Sequence, residues 1–186
     1  LDPTDNKLLM FTSGTSGRAK GVLHSQASLV APLMRAFASW PLREHDCVLM
    51  PSPVTHITGY CCGLEMPLFL GTRTVLMDKW NAAAAVQLIQ AENVHATVGA
   101  TPFLKELLDA AEAAGTSLPS LRVFACGGAA VPAQLIERAD RLLSGRAFRV
   151  YGMSEAPLIT FGIAADDPPQ VAAHTDGPLN GYDVRL

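Results

Sequence analysis

Short apolar runs separated by longer segments of mixed polarity form the most regular pattern in this chain. Five such runs recur every 22 to 26 residues, at residues 47–50, 73–77, 95–98, 121–125 and 147–151. Most of the intervening segments carry apolar residues three and four positions apart, which is the spacing of a helix with one buried face. Strands that alternate with helices in this way are typical of βαβ units. The pattern therefore predicts an α/β fold with a mostly parallel sheet flanked by helices.

Two of the predicted helices have clear starts and ends. Thr101 is predicted to be the N-cap of the first, with Pro102 in its first turn and Gly115 after its end. The second begins at Pro132 and ends near Gly145. Each has an apolar face that should pack on the sheet: Phe103, Leu104, Leu107, Leu108 and Ala111 in the first, and Leu135, Ile136, Ala139, Leu142 and Leu143 in the second.

Two further helices are predicted nearer the N-terminus. Ser25 caps a helix that runs to about Trp40, and Pro32 within it is expected to kink or divide the helix. Asn81 caps a shorter helix that ends near residue 92. Towards the other end of the chain, residues 158–163 are apolar again, and residues 182–186 are predicted to form a strand.

Composition limits the class of protein. The 186 residues are enough for one well-buried domain and short for two. With 49% hydrophobic and 17% charged residues and a net charge of −3, neither disorder nor a nucleic-acid-binding surface is indicated. The expected partners are small molecules.

Cysteine usage and the absence of a long apolar run bear on the cellular compartment. The four cysteines lack metal-ligand spacing and are interpreted as reduced, packed thiols; they are Cys47, Cys61, Cys62 and Cys126. No run is long enough to span a membrane, and the first residues do not resemble a signal peptide. We therefore expect a cytoplasmic protein.

A loop rich in hydroxyl groups and glycine follows the first apolar run, at residues 12–21. Backbone N–H groups in such a loop can converge on a phosphate, and Lys20 adds a positive charge. A turn joining two strands is the alternative interpretation. The loop does not have the Walker pattern, because Lys20 is followed by Gly21 where that motif has Ser or Thr. The candidate nucleotide-binding residues here are Thr12, Ser13, Gly14, Thr15, Ser16, Gly17 and Lys20.

Three more loops follow predicted strands, at residues 51–59, 126–130 and 151–155. Ligands of open α/β sheets bind at the edge where such loops emerge. The candidate residues in these loops are His56, Gly59, Gly127, Gly128, Ala129, Tyr151, Gly152, Ser154 and Glu155. The glycines are equally consistent with a strand-to-helix turn, and a lone glutamate is often a solvated residue at a helix start. The other histidines, His24, His45, His95 and His174, are interpreted as core or loop residues.

Residues 12–21 resemble the signature loop of the adenylate-forming superfamily, Thr-Ser-Gly-Thr-Thr-Gly-x-Pro-Lys-Gly, with Ser16 and Ala19 as departures. Residues 151–155 resemble its Tyr-Gly-x-Thr-Glu element, and residues 177–181 resemble its Gly-x-Pro-x-x-Gly turn. The superfamily includes acyl-CoA synthetases, luciferases and peptide-synthetase adenylation domains. The resemblance runs from residue 8 to the end of the chain and implies a flavodoxin-like subdomain.

The resemblance also implies roles for individual residues. Tyr151 would flank an adenine ring, Ser154 would contact a phosphate, and Glu155 would hold Mg²⁺. Lys20 would neutralise phosphate charge, and His56 would border the carboxylate pocket. Gly59 and Gly127 would also lie beside the substrate, and Gly127, Gly128, Ala129 and Gly152 would lie along the nucleotide.

By this resemblance the protein uses ATP and Mg²⁺ to convert a carboxylic acid to an acyl-adenylate and then transfers the acyl group to coenzyme A. Amino-acid-activating relatives have an aspartate near residues 51–63, where this chain has no acidic residue, so an apolar acid such as a fatty acid is expected. Two alternatives remain: a non-catalytic nucleotide-binding module, and an adenylating enzyme with an acceptor other than coenzyme A.

The chain is expected to be part of a longer enzyme. Residues 1–186 would form a partial AMP-binding, or adenylation, domain, and the superfamily's small C-terminal domain is absent from the sequence. We expect this piece to be inactive alone. Apolar surface that the absent segments would cover is expected to promote self-association.

Overall fold

A computed structural model describes residues 2–13, 17–163 and 167–185. Within these residues the elements follow in the order β1 (Asn6–Thr12), β2 (Lys20–Ser25), α1 (Gln26–Ser39), β3 (Cys47–Met50), a π-helical segment (Gly59–Glu65), α2 (Met66–Leu70), β4 (Arg73–Leu76), α3 (Ala82–Ala91), β5 (Val94–Ala100), α4 (Thr101–Ala113), β6 (Val123–Gly127), α5 (Ala133–Ala139), β7 (Arg146–Arg149) and α6 (Pro169–His174).

The five apolar runs form one parallel sheet with the strand order β4-β3-β5-β6-β7. Counted from β3, this is the flavodoxin-like order 2-1-3-4-5, in which the direction of winding reverses between the first and third strands. All four residues of β3 are buried, as expected for a parallel strand covered on both faces. The predicted fold class is confirmed, with strand boundaries that differ by a few residues.

The loop of residues 12–21 joins two antiparallel strands, β1 and β2, which form a separate hairpin. In the sequence analysis a strand after this loop was part of the alternative interpretation only, and its bounds were not predicted. Met10 and Val22 face the core, whereas the outer face carries large exposed apolar side chains, namely Leu9, Phe11 and Leu23. The self-association expected from the sequence stays a prediction, and this outer face is a candidate surface for it.

Helix α1 has the predicted start but no division. Ser25 and Ser28 form a reciprocal capping box at its first turn. The helix then runs without interruption to Ser39, so Pro32 does not divide it, and the kink expected as the other outcome stays a prediction. Burial explains this result, because Leu29, Leu33 and other residues of one face are fully enclosed and the packing outweighs the lost backbone hydrogen bond.

Other boundaries also differ from the predictions. The N-cap of α4 is Ala100, and the predicted cap Thr101 instead donates its hydroxyl to the Ala130 carbonyl (3.1 Å). Helix α5 ends at Ala139, after which two backbone N–H groups bond back to the Ala139 carbonyl as turns. In the described part of the C-terminal region, residues 182–185 form no strand, and the pairing of residues 158–163 is confined to the Thr160–Leu179 bridge.

The core lies on both faces of the parallel sheet. The four cysteines are free and buried, as predicted. Trp40 packs between Phe37 and Phe148, with ring centroids 5.6 and 5.7 Å away. Across the described residues, no helix is both long and apolar enough to span a membrane.

Candidate functional site

A cavity of about 340 Å³ opens at the carboxyl edge of the parallel sheet. Its walls come from the segment after β3, the π-helical segment, the ends of β5 and β6, and the segment after β7. The lining residues are Ser52, His56, Ile57, Thr58, Cys61, Cys62, Val98, Gly99, Ala100, Gly127, Gly128, Val150, Gly152, Met153, Ser154, Pro157 and Leu158. Because the winding reverses between β3 and β5, the loops after these two strands diverge and leave this crevice open.

Gly127 and Gly128 have no side chains, so backbone atoms form the cavity floor at the end of β6. A Cβ on Gly127 would lie 2.5 Å from the Val150 carbonyl oxygen, so only glycine permits this approach of β6 to β7. Gly128 has φ +78°, the left-handed region that favours glycine, and nothing lies within 4 Å of where its Cβ would be. A planar group can therefore lie against this backbone.

A tight turn carries Ser154 and Glu155. The N–H of Met153 donates to the Ala156 carbonyl (3.1 Å), and the N–H of Ala156 donates back to Met153 (3.2 Å). Ser154 and Glu155 are thus the two central residues of the turn. Ser154 lines the cavity, whereas the side chain of Glu155 is exposed beside it.

His56 lies in the loop after β3, at the mouth of the cavity. Its Nδ1 accepts a hydrogen bond from the backbone N–H of Thr58 (3.2 Å). The backbone N–H of His56 donates to the Pro53 carbonyl (2.9 Å). Because Nδ1 accepts, the neutral ring carries its proton on Nε2. His56 can therefore offer an N–H donor to a ligand.

The cavity walls are largely apolar, and no lining residue is Asp, Glu, Lys or Arg. Two thiols belong to this wall. Burial raises the pKa of the Cys61 thiol, and it raises the pKa of Cys62 to about 12. Both groups therefore stay protonated near neutral pH and behave as small apolar side chains, not as nucleophiles.

Sequence reasoning missed part of the cavity wall. Cys61 and Cys62 were interpreted only as packed thiols, and residues 98–100 at the end of β5 were not considered as site residues. The second omission could have been avoided, because β5 was a predicted strand and the loop after every parallel strand emerges at this edge. The π-helical turn has no comparable signal in the sequence; such turns are frequent at functional sites.

Several predicted site residues lie outside the cavity wall. Gly59 packs beneath the loop instead, where a Cβ would meet the Pro53 carbonyl at 2.1 Å. Tyr151 is half exposed, and its backbone N–H donates to the Thr160 hydroxyl (2.8 Å). The remaining described candidates that do not line the cavity are Thr12, Ser13, Gly17, Lys20, Ala129 and Glu155.

The phosphate-loop prediction falls partly outside the described residues, because Gly14, Thr15 and Ser16 are not among them. Gly17 has φ +77°, and Lys20 is the exposed first residue of β2. No ion pair involves Lys20 within the described part of the chain. Its ammonium group is thus available to a ligand.

The described residues could hold a metal ion only if a bound nucleotide supplies further ligands to it. Among residues 2–13, 17–163 and 167–185, no three His, Cys, Asp or Glu side chains form a cluster that could hold a metal. Glu155 is an exposed carboxylate without an ion pair among these residues. One carboxylate with nucleotide phosphates and water is a usual environment for Mg²⁺.

Comparison with known proteins gives a consistent result. A family model described as AMP-binding enzyme matches residues 1–186. The medium-chain fatty-acid–CoA ligase of Escherichia coli (strain K12) is 34% identical over 173 residues, which are 91% of this chain and 30% of that protein. The 3-[(3aS,4S,7aS)-7a-methyl-1,5-dioxo-octahydro-1H-inden-4-yl]propanoyl:CoA ligase of Rhodococcus jostii (strain RHA1) is 32% identical over 189 residues, 100% of this chain and 36% of that protein.

A solved structure shares the fold. The O-succinylbenzoate coenzyme A synthetase of Bacillus subtilis, in complex with AMP, matches with a TM-score of 0.80 and 24% identity, over 96% of this chain and 36% of that chain. At this identity the likeness concerns the fold alone. The chain spans about a third of the length of the curated relatives that it matches.

Proposed function

The chain belongs to the family of AMP-binding enzymes, and we propose that the protein activates an apolar carboxylic acid with ATP and transfers the acyl group to coenzyme A. The proposed substrate class rests on the cavity at the carboxyl edge, whose walls are largely apolar and lack Asp, Glu, Lys and Arg side chains. The two sequence relatives are CoA ligases of different acids, which supports acid activation and CoA ligation in general.

The proposed reaction has two steps. A carboxylate oxygen of the acid attacks the α-phosphorus of ATP, and the bond to the bridging oxygen breaks to release pyrophosphate. The thiol of coenzyme A, after losing its proton, then attacks the acyl carbon and displaces AMP. The first step depends more on neutralising phosphate charge than on moving protons.

Charge neutralisation is assigned to Lys20, Ser154 and Glu155. Lys20 supplies a cation that no carboxylate pairs with among the described residues. Glu155 would hold Mg²⁺ together with the phosphates, and the bound ion would supply further positive charge to the phosphate oxygens. Ser154, which shares the turn with Glu155, would offer its hydroxyl to a phosphate, and the half-exposed ring of Tyr151 would flank the adenine.

Acid binding is assigned to the cavity itself. The Nε2–H of His56 can donate to the acid's carboxylate. The backbone at Gly127 and Gly128 leaves space for the carboxylate and for the adenine ring. The acyl chain would lie against Ile57 and the two thiols. An ammonium group on the substrate would find no carboxylate in this wall, so amino acids are poor candidates. We propose the cytoplasm as the location, consistent with the free thiols.

The test is acid-dependent pyrophosphate exchange by the full-length protein, with a panel of saturated fatty acids, aromatic acids and amino acids. We expect exchange with apolar acids, dependence on Mg²⁺, and thioester formation when coenzyme A is added. Exchange without a thioester would favour a different acceptor. If nucleotide binds but no acid supports exchange, the proposed activity is wrong and a non-catalytic nucleotide-binding module becomes the better interpretation.

A further inference from the structure

His24 is a buried histidine on the strand that follows the candidate phosphate loop. It lies on β2, four residues after Lys20, and is only 3% exposed. Its Nε2 lies 2.7 Å from the backbone oxygen of Ser154, which is 130 residues away in the chain. Its Nδ1 lies 3.5 Å from the hydroxyl oxygen of Ser28. Both ring nitrogens thus have polar neighbours.

These neighbours fix the tautomer of the ring. A carbonyl oxygen can only accept, so the proton of the neutral imidazole must be on Nε2. Nδ1 is then an acceptor and faces a hydroxyl that can donate. The bond to Ser154 is the shorter of the two and joins elements far apart in sequence, whereas Ser28 is only four residues from His24. The contact with Ser154 is therefore the one that links two separate parts of the fold.

The hydrogen bond from His24 connects two segments that the proposed reaction requires together. One is the β1–β2 hairpin, in which β2 begins at Lys20. The other is the tight turn whose central residues are Ser154 and Glu155. The two hydrogen bonds between Met153 and Ala156 close the turn on itself but do not fix it to the rest of the fold. In the described residues, His24 is the side chain that forms a hydrogen bond to the tip of this turn.

We propose that His24 is a positioning residue that fixes the Ser154–Glu155 turn relative to the phosphate-loop hairpin, so that Glu155 and Lys20 act on the same nucleotide phosphates. The proposal rests on the proposed function. Charge stabilisation of a polyphosphate depends steeply on geometry, and small displacements of a charged group reduce catalysis. His24 itself touches no ligand in this arrangement and acts only through the turn.

Two amide substitutions separate the contact to Ser154 from simple burial of a polar side chain. Glutamine can place an amide N–H near the position of Nε2, whereas asparagine is shorter and reaches only the position of Nδ1. His24→Gln can therefore keep the bond to the Ser154 carbonyl, and His24→Asn cannot. Both are polar amides, so the pair is matched in chemistry.

The experiment measures pyrophosphate exchange in the full-length protein, with kcat and the KM values for MgATP and for the acid, together with the midpoint of urea unfolding. We expect His24→Asn to lower kcat/KM for MgATP by about tenfold or more, as loss of a positioning contact does, with KM for the acid nearly unchanged. His24→Gln should recover most of this loss. The unfolding midpoints of the two variants should be similar.

Equal effects of the two amides would overturn the proposal, as would equal losses for MgATP and for the acid. If His24→Asn does not fold, His24→Met fills a similar space without a donor and replaces it in the comparison. Should His24→Met fail to fold as well, His24 serves stability and the proposal is wrong. An inactive wild-type protein would instead contradict the proposed function, and the inference would fail with it. A wild-type kcat/KM for MgATP in every His24 variant would refute the inference alone.

Discussion

His56 combines two roles that single substitutions can separate. Its Nδ1 accepts a hydrogen bond from the N–H of Thr58 and so stabilises the loop, while its Nε2–H is proposed to donate to the acid. We predict that His56→Ala and His56→Asn both raise KM for the acid by about tenfold, with a smaller effect on KM for ATP. Asparagine can still accept from Thr58, so it is the control for the loop. Steady-state rates with each substrate varied would check this; equal changes in both KM values would contradict the role of His56.

Lys20 and Glu155 carry opposite charges, and both are proposed to act on the nucleotide phosphates, Glu155 through Mg²⁺. We predict that Lys20→Ala and Glu155→Gln each lower the rate of adenylation by at least about tenfold. Lys20→Arg and Glu155→Asp, which keep the charge, should lose less. Raising the Mg²⁺ concentration should partly restore Glu155→Gln but not Lys20→Ala. Unchanged rates at saturating ATP and Mg²⁺ would remove both residues from the proposed reaction.

Polar site residues can be identified from the sequence more easily than the apolar residues of a cavity wall. Gly127, Gly128 and His56 could be selected from the sequence because glycine pairs and histidines have few roles at the end of a strand. Cys61 and Val98 could not, since an apolar residue in a cavity wall looks the same in sequence as one in the core. Gly59 does not line the cavity for a related reason: its small size permits close packing against Pro53.

Elements were predictable where a pattern was repeated and buried. The runs that became β3 to β7 are short, apolar and evenly spaced. Burial of β3, β5 and β6 on both faces gives those three runs a continuous apolar signal. Strand β2 was missed because its outward residues are mixed and its sequence begins in a loop. Residues 182–185 were mispredicted because alternation alone does not supply a partner strand, and Tyr182 instead donates its hydroxyl to the Pro157 carbonyl (3.1 Å).

Asn180 holds three segments of the fold together. It is 1% exposed, and its side-chain amide donates to the carbonyls of Pro32 in α1 (2.8 Å) and Leu158 beside the cavity (2.9 Å). Its Oδ1 accepts from Arg35 Nε (3.1 Å). The side chain is therefore fully engaged, and its removal leaves buried acceptors without donors.

We predict that Asn180→Ala lowers the free energy of unfolding by about 2 kcal/mol or more, because unpaired buried groups carry their full desolvation cost. Asn81→Ala is the matched control: it removes a single cap bond, from Asn81 Oδ1 to the N–H of Ala84, and should cost about 1 kcal/mol. Urea unfolding of both variants would measure the difference. A smaller loss for Asn180→Ala than for Asn81→Ala would show that the network contributes little.

Charge is distributed unequally between the two edges of the parallel sheet. The cavity at the carboxyl edge has no charged side chain in its wall. At the opposite edge, buried Asp46 pairs with Arg122 and lies 3.6 Å from Nδ1 of His95. The N–H of Cys47, at the start of β3, donates to the same Nδ1 (3.0 Å). Stability should therefore respond to pH through the amino edge, away from the cavity.

The pKa shift of His95 determines whether the free energy of unfolding rises or falls with pH. Burial lowers the pKa of His95, with Arg122 and Arg73 acting in the same direction and Asp46 opposing them. Its folded pKa thus lies below the ordinary value near 6.5, so in the interval between the two values the unfolded chain binds the extra proton. Protonation of Nδ1 would also remove the acceptor for Cys47. The free energy of unfolding should therefore fall as the pH decreases from about 7.5 to about 5.5.

We predict that His95→Asn makes this decline shallower, because asparagine can still accept from the N–H of Cys47 but does not titrate. Urea unfolding at several pH values in this interval would measure the slope for both proteins. Both proteins share the other four histidines, so the comparison isolates His95. The carboxylates of Asp109 and Glu112, whose pKa values Lys105 and Arg138 lower, lose their contribution only in more acidic solution, below about pH 4.5. An identical slope in the two proteins would mean that His95 is not the group whose protonation weakens the fold.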